Sequence, residues 1–275
     1  MDFNSLFWIF LIIISLQPLI SQKLINSARQ RMIGRIEKKR NSRVILIVHR
    51  QESIGLLGIP LVRYINMEDS EAVLRALETT ELERPVDIVL HTPGGLVLAA
   101  LQIARAINRR KGKVRVIVPH YAMSGGTLIA LAANEIVMSP FAVLGPIDPQ
   151  LGNYPAPSLV KLRNEKDINK IDDNILILAD LAQKAIDQLR ASVEELLSEN
   201  YGPEKAKELS ALLTEGRWTH DYPITADYAK TLGLKVSTTI PDEFLALMSM
   251  YPQPTRTRPN VEYLERGNEK MAKMQ

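Results

Sequence analysis

The chain has 275 residues, a formal net charge of +3, and 46% hydrophobic against 24% charged residues. It contains no cysteine, which excludes disulfides, thiolate catalysis and cysteine-ligated metal. Between two compositionally unusual ends lie about 200 residues, enough for one large α/β core.

The N-terminal end is apolar. Residues 3–20 carry no charge, and residues 6–14 are apolar throughout. With its flanks this stretch reaches the roughly 20 residues that a membrane-spanning helix needs. A cleaved signal peptide would have a basic region ahead of its apolar core. Here the only charge ahead is Asp2, and the bases follow: Lys23, Arg29, Arg31, Arg35, Lys38, Lys39, Arg40 and Arg43, against Glu37 alone. This asymmetry points to a retained single-pass anchor with its N-terminus outside and the body in the cytoplasm. The basic stretch beside an apolar span suits lipid headgroups as partner rather than nucleic acid. It also accounts for most of the net charge, which therefore says little about a catalytic face.

Within the body, strand-type runs fall at 43–48, 86–90, 114–118, 135–138 and around 234–236. Helix-type runs fall at 69–77, 96–107, 127–133, 174–197 and 203–213. Such alternation predicts parallel βαβ units. The run at 174–197 is too apolar for a fully solvated helix. Thr225 and Gly233 are placed to cap and close a further short helix. Residues 252–275 are rich in Pro, Arg, Glu and Lys and predict a mobile tail or a partner-dependent segment. The expected organisation is an anchor over 1–22, a basic juxtamembrane segment over 23–42, a catalytic domain over 43–250 and a flexible tail over 251–275.

Two glycine-flanked turns carry most of the functional information. His91-Thr92-Pro93-Gly94-Gly95 follows one β-branched run, and Ala122-Met123-Ser124-Gly125-Gly126 follows another; each opens a helix-type run. A serine between a strand and a helix N-terminus is exposed to substrate and flanked by N–H groups that can approach it closely. Together the turns can supply a nucleophilic hydroxyl and an oxyanion pocket, which acyl transfer requires. Ser124 is equally of a type that caps helices. The body shows neither paired helical histidines nor a phosphate-binding or dinucleotide glycine pattern, so no metal and no cofactor is expected.

The paired motifs resemble the ClpP/crotonase superfamily, in particular the SDH (serine dehydrogenase) proteinase family related to signal peptide peptidase A. The resemblance runs from about Val44 to Val236 and includes Leu144-Gly145-Pro146-Ile147-Asp148-Pro149-Gln150-Leu151-Gly152. It implies a ClpP/crotonase-like ββα superhelical fold, here with an N-terminal transmembrane helix, and a homo-oligomer. It also implies a membrane-anchored, ATP-independent serine peptidase acting through an acyl-enzyme, with Ser124 as nucleophile and Gly95 and Gly125 as oxyanion donors.

The base is the open element. His91 and His120 lie at strand ends near the turns, and no histidine follows the serine helix before His220. Relatives of signal peptide peptidase A use a downstream lysine, and Lys166 matches it best, with Lys161 and Lys170 as rivals. Glu165 and Asp167 flank Lys166, and close carboxylates would raise a lysine pKa rather than lower it. Peptide or protein is then the substrate. The alternatives are a crotonase-like acyl-CoA enzyme, disfavoured by the serine in the second turn, and a non-catalytic membrane scaffold of the same fold.

Overall fold

The computed structural model describes residues 3–49, 53–54, 60–61 and 63–251. Nine helices are found among them: α1 (Phe3–Arg40), α2 (Met67–Glu78), α3 (Val97–Asn108), α4 (Gly125–Leu131), α5 (Ala156–Glu165), α6 (Asp173–Tyr201), α7 (Pro203–Thr214), α8 (Ala226–Thr231) and α9 (Asp242–Ser249). The main sheet has five strands: β1 (Arg43–Val48), β2 (Val86–His91), β3 (Val114–Val118), β4 (Glu135–Met138) and β5 (Val236–Ser237). They pair in that order, every pair parallel.

The β-branched runs become strands because both faces of the sheet are covered. Adjacent residues of one strand point to opposite faces. Val44, Val89, Ile117 and Val137 meet Ile36 of α1 and Phe244, Leu247 and Met248 of α9. Ile45, Ile88, Val116 and Ile136 join the larger cluster, to which α2, α3, α4, α6 and α7 contribute. All six residues of β2 are buried, which is why its sequence runs apolar with little alternation.

The basic segment expected between anchor and catalytic domain is helical and continuous with the apolar stretch, ending at Arg40. Its last turns belong to the core. Ile36 is buried, Arg29 donates to the Met250 carbonyl at 2.9 Å, and Lys39 pairs with Glu243 of α9. Among the described residues no helix is long and apolar enough to cross a membrane. The side chains of residues 6–14, on which the anchor expectation rests, lie outside the described residues except for Trp8. The expected tail over 252–275 also lies outside them.

A second, smaller set of pairings crosses the carboxyl ends of the main strands. Tyr121–Ala122 runs parallel to Val143–Leu144, and Ile224–Thr225 pairs antiparallel with Val143–Leu144. Single bridges extend the row from Ala122 to Thr92 and from Gly95 to Ile65. Segments far apart in the chain are thereby laid side by side at the end of the sheet where open α/β folds place their sites.

Candidate active site

The two glycine turns meet. Thr92 joins them through its backbone: its N–H donates to the Tyr121 carbonyl at 3.2 Å, and its own carbonyl accepts from the Met123 N–H at 3.0 Å. Gly94 and Gly95 have φ of 111° and 153°, where side chains are strained. A Cβ on Gly94 would stand 2.8 Å from the Ser124 Cβ, and one on Gly95 would run into the Ile65 backbone. Only glycine allows this approach.

Ser124 is one of two non-glycine residues with positive φ among the described residues, at φ 50° and ψ −117°. Sparsely populated backbone conformations of this kind cost about 1–3 kcal/mol and cluster at functional sites. The residue opens α4 without capping it, since its side chain makes no cap hydrogen bond. The capping reading of Ser124 therefore has no support in the structure. The half-buried hydroxyl stands at the junction of a strand end and a helix N-terminus, as a nucleophile on a sharp turn does.

Beside it the backbones of Gly95 and Gly125 come close together. A Cβ on Gly125 would lie 3.5 Å from the Gly95 nitrogen, so the two backbones are close neighbours. Among the described residues, neither the Gly95 nor the Gly125 N–H is paired: Leu96 and Ile65 take the bridge bonds beside Gly95, and Gly125 is the first residue of its helix.

The expected bases are distributed differently. Lys166 ends α5 as its C-cap, and its side chain is exposed to solvent. No hydrogen bond or ion pair joins it to Ser124 among the described residues. Lys161 lies on the exposed face of α5, 3.9 Å from Glu165, and Lys170 ends an exposed single turn, Ile168–Lys170. His91 is buried within a ring cluster, its centroid 4.3 Å from Tyr121 and 5.5 Å from His120.

Sequence reasoning assigned no chemistry to Asp148 or His220, and the structure pairs them. Asp148 is 2% exposed, and its Oδ1 stands 2.9 Å from His220 Nδ1. Its Oδ2 accepts from Gln150 Nε2 at 2.7 Å. The small ladder fixes where this pair lies. Ala122 is opposite Leu144, and Leu144 is opposite Ile224. Ser124 and Asp148 follow their strands, which run parallel, whereas His220 precedes a strand that runs the other way. All three therefore project beyond the same end of one ladder, whose strands lie about 4.8 Å apart. Gly145 ties the loop to the serine helix, its N–H donating to Thr127 Oγ1 at 3.0 Å.

Two apposed glycine turns, a strained unpaired serine and a ClpP-like layering of the chain agree with what comparison with known proteins finds. A model of the ClpP-like SDH-type serine proteinases matches residues 1–275. The chain belongs to that family. It is similar to two uncharacterized proteins of Methanocaldococcus jannaschii. One is 55% identical over 261 residues, covering 95% of this chain and 91% of the relative. The other is 47% identical over 261 residues, covering 95% and 89%. Among solved structures it is similar to the 1510-N membrane-bound stomatin-specific protease, at 21% identity and a TM-score of 0.47, over 74% of this chain and 82% of that one. The family places this chain among mixed α/β ClpP-like folds.

Proposed function

We propose that this chain is a membrane-anchored serine peptidase that cleaves peptide bonds through an acyl-enzyme on Ser124. The observation that carries the reading is the apposition of a strained serine, free of any capping bond, with the unpaired Gly95 and Gly125 N–H groups. Ser124 Oγ attacks the scissile carbonyl carbon while its proton passes to a base. The two N–H groups hold the oxygen that gains charge. The C–N bond then breaks, the base returns the proton to the leaving amine, and water repeats the sequence to release the acid.

Lys166 and His220 are the competing bases. What supports His220 is that a buried carboxylate holds its Nδ1 and that its segment adjoins the ladder end that Ser124 also leaves, although among the described residues no hydrogen bond joins it to Ser124 either. Lys166 has the family resemblance on its side but an exposed amine on the C-cap of a separate helix. Peptide is the substrate class, and a homo-oligomer and lipid contact through the basic part of α1 belong to the same reading. Residues 1–22 hold the chain in the membrane, with the N-terminus outside.

The test is fluorophosphonate labelling of the full chain in detergent, with the modified residue found by mass spectrometry. The adduct is expected on Ser124; a wild-type protein that is active but labelled elsewhere would overturn the reading. A general base contributes about 10²–10⁴-fold, so His220→Ala should lose at least the low end of that range while Lys166→Ala stays within a few-fold of wild type. The reverse result assigns the base to Lys166. Protease added to spheroplasts should leave the body intact; digestion would reverse the topology.

A further inference from the structure

Behind the first glycine turn lies a buried polar chain that the catalytic reading does not use. His49, 6% exposed, stands at the end of β1. Its Nδ1 lies 2.8 Å from Thr92 Oγ1, and its Nε2 lies 3.2 Å from Asp69 Oδ2 of α2. Thr92 is fully buried. Its hydroxyl accepts from the Gly94 N–H at 3.2 Å and also lies 3.3 Å from the Gly94 carbonyl. Asp69 is held in turn by the capping box at the start of α2, its Oδ2 accepting from the Asn66 N–H at 2.9 Å.

We infer that His49 and Thr92 form a positioning pair for the oxyanion pocket, in which His49 fixes the Thr92 hydroxyl and that hydroxyl fixes the Gly94–Gly95 turn. The inference rests on the serine-peptidase reading for what the turn does. The hydroxyl has one proton and two neighbours that could take it, His49 Nδ1 and the Gly94 carbonyl. A carboxylate only accepts, so Asp69 requires the proton of a neutral His49 on Nε2 and leaves Nδ1 with a lone pair. The Thr92 proton then goes to Nδ1, and its oxygen accepts from Gly94. Burial pulls the His49 pKa below its ordinary 6.5, against the opposing pull of Asp69, so the ring is neutral at pH 7. Among the described residues, Asp69 and Arg63 are the charged groups that act on it.

The Gly94 carbonyl and the Gly95 N–H belong to one peptide plane and point in opposite directions. That carbonyl accepts the Ile65 N–H at 2.7 Å, while the Thr92 hydroxyl holds the preceding peptide through the Gly94 N–H. The Gly95 N–H is then directed away from Ile65, toward Gly125. Two consecutive glycines with positive φ do not hold such a plane by themselves, so an external clamp is needed. Thr92 is fully buried, so the pair acts through the turn.

The experiment compares Thr92→Val, which keeps shape and loses the hydroxyl, with Thr92→Ser, which keeps the hydroxyl. Thr92→Val should lower kcat by about 10–10²-fold with KM within about two-fold, because only the transition-state oxyanion depends on the plane. Thr92→Ser should restore most of the rate. His49→Asn, which retains an acceptor near the Nδ1 position, should lose less than His49→Leu. Equal rates for Thr92→Val and wild type, or equal losses for Thr92→Val and Thr92→Ser, overturn the inference. ¹⁵N NMR of the histidines gives a readout that does not need activity: His49 should carry its proton on Nε2, and a proton on Nδ1 overturns the pair. If wild-type protein fails to label at Ser124, the peptidase reading falls on its own, and the tautomer still decides whether the Thr92 hydroxyl is held as described.

Discussion

The two ends of β2 handle polar groups in opposite ways. At the entry end Asp87 is 0% exposed and saturated: Arg40 reaches it at 2.7 Å, Ser42 at 2.7 Å and Arg115 at 2.5 Å. That cluster joins the end of α1 to two neighbouring strands and leaves no acceptor for a ligand. At the exit end the chain passes into Thr92, Gly94 and Gly95, and there donors are left unpaired beside a strained serine. Saturated groups hold a fold together, whereas unsatisfied and strained ones are retained where a substrate completes them. The same strand thus ends in a stabilising cluster on one side and a reactive one on the other.

The sharpest separation comes from Ser124→Ala. It should abolish measurable turnover, a loss of at least about 10⁴-fold, while the denaturant midpoint stays unchanged. A large drop in stability would mean that Ser124 is structural and would erase the contrast between the two ends. Asp87→Ala should do the converse. It leaves the Arg40 and Arg115 guanidinium groups without their buried partner, and losing one partner of such a cluster costs about 3–5 kcal/mol. Urea unfolding measures it, and a variant within about 1 kcal/mol of wild type would show the cluster to be dispensable.

Acidification probes the same cluster. Burial alone would push the Asp87 carboxyl up, but the hydrogen bonds from Arg40, Arg115 and Ser42 outweigh it and hold the pKa below the ordinary 3.8. A depressed folded pKa contributes stability above the unfolded value, and that contribution is lost as pH falls through the folded value. The stability difference between wild type and Asp87→Asn should therefore be constant well above the ordinary 3.8 and shrink as pH falls below it. A difference that stays flat across that range would contradict the pairing. The smallest effect expected is at the reactive end: Ser124→Gly should relieve the positive φ and raise stability by about 1 kcal/mol, glycine's own entropy cost included. Unchanged thermal stability would mean that the turn stores no strain.

Lys166 and His220 show where reading from sequence ends. Lys166 was reached by resemblance and lies on an exposed helix end. Asp148 and His220 were visible as residues but not as a pair, because 72 positions separate them and neither segment has a periodicity that points to the other. His49 escaped for the same reason: its partners are Thr92 and Asp69, which sequence places on different elements.

By itself the sequence determined what local physics controls. Short β-branched runs gave β1, β3 and β4 at their observed limits, and Thr225 and Gly233 gave the start and finish of α8 as a cap and a left-handed residue. The glycine doublets marked both turns for different reasons: Gly94 and Gly95 have positive φ, whereas Gly125 and Gly126 open α4, where a Cβ on Gly126 would run into Thr92. Tertiary structure alone decided what depends on segments meeting. It drew the basic half of α1 into the core through Arg40 and Ile36. It freed Ser124 from capping, and it brought Asp148 to His220 and His49 to Thr92. Those contacts arise from the register of parallel strands and of the short ladder across their ends, a long-range property that no window of sequence contains.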